Sequence, residues 1–130
     1  MKKKKKGFTI IELIAVMAIM AILAVVITPK IGGYINEAKK TQVVAEMRHI
    51  IIAVESYNMK ALEANTITET SEYSNFKTKL INEGYLETIK NDILTDATTY
   101  KAMKEVVEGT KKFSIKKDAN GNSYVEVADV

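Results

Sequence analysis

Cysteine is absent from the 130 residues. No disulfide can staple the fold and no thiolate can hold a metal, so the core must stand on packing alone. No Asn-X-Ser/Thr acceptor occurs either, which removes that form of glycosylation. The chain has one proline, Pro29, and one histidine, His49. A single His with no second ligand and no nucleophile beside it reads as a surface or boundary residue. Charge is scarce in one place: the 21 residues 8–28 hold a single ionisable side chain, Glu12.

The net charge of +3 misdescribes the rest. Lys2, Lys3, Lys4, Lys5 and Lys6 supply five of the nineteen basic side chains; without them fourteen basic groups face sixteen acidic ones, a net of −2. The remaining Lys and Arg are scattered among Glu and Asp, with no basic stripe of the kind nucleic acid requires. No nucleophile–base pair, metal cluster or phosphate loop is visible, and a core this small leaves little room for a pocket. The residues therefore point to no catalytic group, cofactor, metal or small-molecule substrate. At this length one globular domain is expected.

The informative residues are concentrated at the N-terminus. Residues 1–7, MKKKKKG, are a lysine run closed by glycine, followed by FTIIELIAVMAIMAILAVVIT. As a helix that stretch spans about 30 Å, the thickness of a bilayer's hydrocarbon. The lysines stay cytoplasmic by the positive-inside rule, sending the chain beyond Thr28 outward. An ordinary secretory signal fits poorly, because the apolar stretch is long and no A-x-A-like site closes it. A plain anchor and a leader cut before the stretch both remain open on composition.

The string KGFTIIELIAVMAIMAIL resembles the class III leader and N-terminal segment of type IV prepilins. The resemblance implies cleavage by a prepilin peptidase between Gly7 and Phe8, N-methylation of Phe8, and Glu12 as the fifth residue of the mature chain. A carboxylate within a membrane span costs about 2.5–3.5 kcal/mol and marks function, although the first helical turn tolerates it better. The resemblance pairs Glu12 with the Phe8 amine of a neighbouring subunit during assembly. An intrachain pair is also open, since Phe8 and Glu12 are four apart.

Pro29 removes the hydrogen bond to the Val25 carbonyl, and Gly32 and Gly33 are each about 1 kcal/mol less helix-favouring than alanine. Either the helix ends there, or a longer helix has a weak joint at Pro29, Gly32 and Gly33. The pattern of residues 43–61 favours the longer helix. Val43, Met47, Ile50, Val54, Tyr57 and Ala61 recur at spacings of four and three, one face of a helix, widened by Val44, Ile51 and Leu62. Residues 36–42, NEAKKTQ, form a polar neck before it. A helix continuing through Leu62 has about 55 residues and a length on the order of 80 Å. Similar pilins have this spine, and their filaments loosen near the proline.

Beyond Leu62 the chain turns polar. Ser71 is expected to cap a short helix with face Tyr73, Phe76, Leu80 and Ile81, closed by Gly84, with Tyr85 and Leu86 returning to the core. Residues 92–110 read as either a short helix on Tyr100, Met103 and Val107 or an edge strand. Residues 111–128 read as a β-hairpin. A two-residue Asn120-Gly121 turn would mix apolar and charged positions on one face. A three-residue loop, 119–121, pairs Ile115 with Val125 and Phe113 with Val127 and keeps one face apolar, so it is preferred. That face is expected to cover the 43–61 stripe. The alternation Asp118, Asn120, Asn122 resembles a calcium loop but lacks its glycine at the sixth position.

The expected fold class is α+β: a type IV pilin fold, with a long N-terminal α-helix, membrane-spanning in its first half, packed against a small antiparallel β-sheet head. The expected divisions are 1–7 cleaved leader, 8–28 transmembrane and assembly helix, 29–62 remainder of the spine, and 63–130 head. The resemblance implies a homopolymeric type IV pilus subunit serving surface motility, adhesion or biofilm formation. Its partners would be the prepilin peptidase, a pilus assembly platform and, before assembly, the cytoplasmic membrane, which it crosses once with its N-terminus inside. The alternatives are a pseudopilin of a DNA-uptake or secretion machine and, in another class, a membrane-anchored monomeric binding module. The lack of cysteine departs from pilins with a C-terminal disulfide loop and is similar to the disulfide-free pilins of Gram-positive bacteria.

Overall fold

A computed structural model describes residues 7–89 and 92–128. The lysine run of the expected leader, and the last two residues of the expected head, lie outside these. The architecture is α+β: one long, apolar N-terminal helix, two short helices and a small antiparallel two-stranded sheet. Helix α1 runs Ile10–Asn58, α2 Tyr73–Asn82 and α3 Tyr100–Val107; strands β1 and β2 are Phe113–Lys117 and Ser123–Val127. The chain divides into two compact units between Ala38 and Lys39, within α1.

In the first unit every described residue is exposed. Apolar side chains dominate α1 here up to Pro29, and a helix satisfies the backbone internally, as an apolar surrounding demands. The helix passes through Pro29 and the two glycines rather than ending there. Beside the proline, the Thr28 hydroxyl donates to the Ala24 carbonyl at 2.6 Å, a bond Thr side chains make inside helices. A Cβ at Gly32 or Gly33 would meet no atom within 4 Å.

The second unit holds the core. From α1 it takes Val43, Met47, Ile50, Ala53, Val54 and Tyr57, all buried, which is one helical face. The helix stops at Asn58, not at Leu62 as expected. Neither glycine nor proline ends it; the Asn58 side chain does. Its Nδ2 donates to the Ile67 carbonyl at 2.8 Å and its Oδ1 accepts the Ile67 N–H at 2.9 Å. This two-pronged clip turns the chain back over the helix end and buries Ile67. Ala61 is consequently half-buried and Leu62 lies exposed, so Leu62 does not widen the stripe.

Helices α2 and α3 supply most of the remaining core through Tyr73, Phe76, Leu80, Tyr100, Met103 and Val106. The rings of Tyr73, Phe76 and Tyr100 meet edge to face, with centroids 5.7 and 6.5 Å apart, the favoured aromatic geometry. Ser71 is not the cap of α2. That position is Glu72, whose side chain makes no capping bond. Instead the two helix starts satisfy each other. Tyr73 N–H donates to the Thr98 carbonyl at 2.9 Å, and Tyr100 N–H donates to the Ser71 carbonyl at 3.0 Å, across a Glu72–Thr99 bridge. The Ser71 hydroxyl accepts the Thr68 N–H within its own loop. The segment left open as helix or edge strand is thus helical, capped by the Thr99 hydroxyl.

Both helices end on a left-handed glycine, Gly84 at φ 77° and Gly109 at φ 78°. Each makes the paired bonds of a Schellman motif, Tyr85 N–H to Leu80 carbonyl and Thr110 N–H to Glu105 carbonyl among them. The hairpin register pairs Phe113 with Val127 and Ile115 with Val125. Its loop closes through Asp118 N–H to the Asn122 carbonyl, with Gly121 at φ 86°. Only Val125 of that face is fully buried; Phe113, Ile115 and Val127 are half-buried against the same core. The hairpin is therefore a minor cover, because α2 and α3 already fill the space over the 43–61 stripe.

Candidate functional site

The N-terminal turn of α1 is built by Thr9 and Glu12. Thr9 N–H donates to Glu12 Oε2 at 2.8 Å, and the Thr9 hydroxyl donates to the same oxygen at 3.0 Å. The Thr9 hydroxyl in turn accepts the Glu12 N–H at 3.3 Å. This is a capping box: two orphan donors at the helix start are satisfied reciprocally. A carboxylate in the first turn is also favoured by the helix dipole. The T-x-x-E spacing that announces it is plain in the sequence, yet reading Glu12 only as an ion-pair partner passes over it.

Gly7 and Phe8 precede the helix without regular structure, and Phe8 is 91 % exposed. A peptide bond between Gly7 and Phe8 is thus reachable. In the uncut chain the Phe8 nitrogen is an amide with no charge, and the Glu12 carboxylate is held by Thr9 rather than by Phe8. The other residues singled out from sequence fall elsewhere. Pro29, Gly32 and Gly33 lie inside α1; Val43, Met47, Ile50, Val54, Tyr57 and Val125 are core; Ala61, Phe113, Ile115 and Val127 rim it. His49 is exposed on α1.

Helix α1 is long and apolar enough to cross a membrane, and none of its apolar stretch is buried within the chain. Exposed apolar surface on this scale calls for lipid or another protein to cover it.

The second unit contains a polar cluster that sequence reasoning missed. The Tyr73 hydroxyl donates to Asp92 Oδ2 at 2.8 Å, Leu94 N–H donates to Oδ1 at 3.0 Å, and Lys77 pairs with the same carboxylate. Burial, and then the Asp92 carboxylate, push the Tyr73 phenol well above its ordinary range. Nearby, Glu46 keeps one buried oxygen without a hydrogen-bond partner. Burial, reinforced by the charge of Asp92 and opposed by Lys77 and His49, raises its pKa. These residues lie far apart in sequence, so no local pattern signals them. Among the described residues no three His, Cys, Asp or Glu side chains gather as metal ligands. In the hairpin loop the Asp118 carboxylate is taken up by Asn120 N–H, Asn122 N–H and the Asn122 amide, which holds it below the usual carboxylate range.

Compared with known proteins, the chain matches one family model, the prokaryotic N-terminal methylation motif, over residues 2–28. No curated protein and no solved structure matches it. The matched segment takes in the lysine run, Gly7, Phe8, the capped Glu12 and the apolar part of α1, and it points to a structural subunit rather than an enzyme. The chain carries a class III signal peptide and an α+β pilin-like layout, consistent with a type IV pilin-like prepilin.

Proposed function

We propose that this chain is the structural subunit of a type IV pilus. It is inserted in the cytoplasmic membrane by residues 8–28, cut between Gly7 and Phe8 by a prepilin peptidase, methylated on the Phe8 nitrogen, and polymerised by an assembly platform into a surface filament. The observation that carries this reading is an apolar helix wholly exposed in the single chain, whose one carboxylate is held in its first turn, inside a segment matching the methylation motif.

The chemistry rests on charge. Cleavage converts the Phe8 amide nitrogen into an ammonium next to an apolar helix. An ammonium and a carboxylate buried together cost far less than either buried alone. Thr9 engages Oε2 of Glu12 and fixes the side chain at the helix start, so its other oxygen is presented to the amine of a neighbouring subunit. The pair thereby sets the axial register of one helix against the next. Residues 43–57 anchor the head on the same helix, so register in the apolar part determines head spacing. Motility, adhesion and biofilm formation are all served by such a filament.

A pseudopilin of a DNA-uptake or secretion machine shares the leader and Glu12, and separates from this reading by filament length and yield. Shearing the cell surface, pelleting filaments and reading the N-terminus by mass spectrometry tests both. N-methylated Phe8 in a filament pellet made mainly of this chain is the expected result. Mature chain confined to the membrane fraction favours the pseudopilin. An intact Met1, or a cut after Thr28, overturns the proposal.

A further inference from the structure

Within the second unit the side of α1 turned away from the core is not uniformly polar. Ile52 is 54 % exposed, and beyond it Met59 and Leu62 are 88 % and 79 % exposed. Ile52 is two positions from both Ile50 and Val54, which are buried, so it faces roughly the opposite way around the helix at about 100° per residue. Ile52 and Met59 are seven apart and Ala45, also exposed, is seven before. This spacing extends along the whole helix: every seventh residue from 10 through 59 is isoleucine, methionine or alanine. A seven-residue apolar repeat is the pattern by which one helix packs along another.

Resting on the filament reading above, we infer that Ile52, Met59 and Leu62 form a docking strip for the apolar segment 8–35 of a second copy of this chain. Three side chains are far too little for a separate partner, since a stable complex buries about 800 Å² on each side. The strip makes sense as an added part of a larger contact. The same chain supplies that larger contact in residues 10–35, whose large apolar side chains are all exposed and which carry the same repeat. The apolar segment of one subunit thus packs both on its counterparts and on the outer face of a neighbour's α1, tying head spacing to helix register.

A photo-crosslinking amino acid placed at Met59, with Asn120 in the hairpin loop as the control position, tests this in the full-length chain on cells. The expected product in sheared filaments is an adduct between position 59 and a peptide from residues 8–35 of a second copy. An adduct only with lipid, or only with another copy's head, overturns the docking strip while leaving the filament reading intact. Independently, the double substitution Ile52→Asp with Met59→Asp should leave head folding, insertion and cleavage unchanged, because both sites are exposed. Filament yield should fall by about tenfold or more, the effect of losing one modest contact per subunit. Wild-type yield from the double variant overturns the strip; absence of filaments from the unsubstituted chain overturns the filament reading and the strip together.

Discussion

Glu12→Gln and Thr9→Ala, made one at a time, separate the two tasks of the first turn of α1. Glutamine retains an oxygen to accept the Thr9 N–H and hydroxyl, which lie 2.8 and 3.0 Å from Oε2, so the capping box survives. What Glu12→Gln removes is the charge. The mature Phe8 ammonium is then buried without a counter-ion, and breaking a buried pair by deleting one partner costs about 3–5 kcal/mol. At about 1.4 kcal/mol per factor of ten, subunit association weakens by roughly two to three and a half decades. Thr9→Ala does the reverse. It strips the hydroxyl from the cap at a cost of about 0.5–2 kcal/mol and leaves the carboxylate charged, so association weakens by about thirtyfold at most. The assay is the mass of sheared filament, normalised to mature chain in the membrane by mass spectrometry. For Glu12→Gln we expect normal insertion and cleavage with filaments lost; for Thr9→Ala, filaments reduced but present. Filaments at unsubstituted yield from Glu12→Gln refute the charge-pairing argument. Equal loss in both variants moves the defect to the helix start.

The second unit offers two more tests. Asn58→Ala removes both bonds to Ile67 and leaves a partly buried N–H and carbonyl unpaired. This costs about 1–3 kcal/mol and lowers the head's Tm by roughly 4–8 °C per kcal/mol, read by near-ultraviolet circular dichroism of its tyrosines; an unchanged Tm removes the clip from the account. Glu46 has a raised pKa, so the folded chain holds that proton more tightly than the unfolded chain does. The charged form therefore weighs against folding above that pKa, and the penalty disappears as pH falls through it. Glu46→Gln should raise Tm at neutral pH, with the gain fading towards about pH 4, where an ordinary carboxylate is protonated. A gain that grows on acidification contradicts the sign.

Much of the fold is legible because it is local. The apolar run of residues 8–28, the three-and-four spacing of Val43, Met47, Ile50, Val54 and Tyr57, and the alternation that places Ile115 opposite Val125 each reside in nearby residues. Glycines at 84 and 109 mark helix ends for the same reason, since the left-handed conformation that completes those bonds suits glycine best. Ser71 misleads because a plausible side-chain cap competes with a backbone partner, the Thr98 carbonyl, that comes from 25 positions along the chain. Leu62 misleads because periodicity cannot sense Asn58 reaching across to Ile67.

The N-terminal chemistry of this protein is written in its residues alone: a basic leader, a Gly-Phe junction, one carboxylate in an apolar helix, and no cysteine to staple the head. Those are properties of composition and short spacing, set before any long-range contact forms. Long-range packing was needed to settle where α1 ends, how α2 and α3 cap one another, and that these helices, rather than the hairpin, fill most of the core. It also determined that Glu46 lies near the Asp92 cluster with an oxygen unpartnered, and that Ile52, Met59 and Leu62 are left outside. Burial and hydrogen-bond pairing depend on which distant segments meet, and a hydrophobic residue is the same letter whether it is covered by its own chain or left for another.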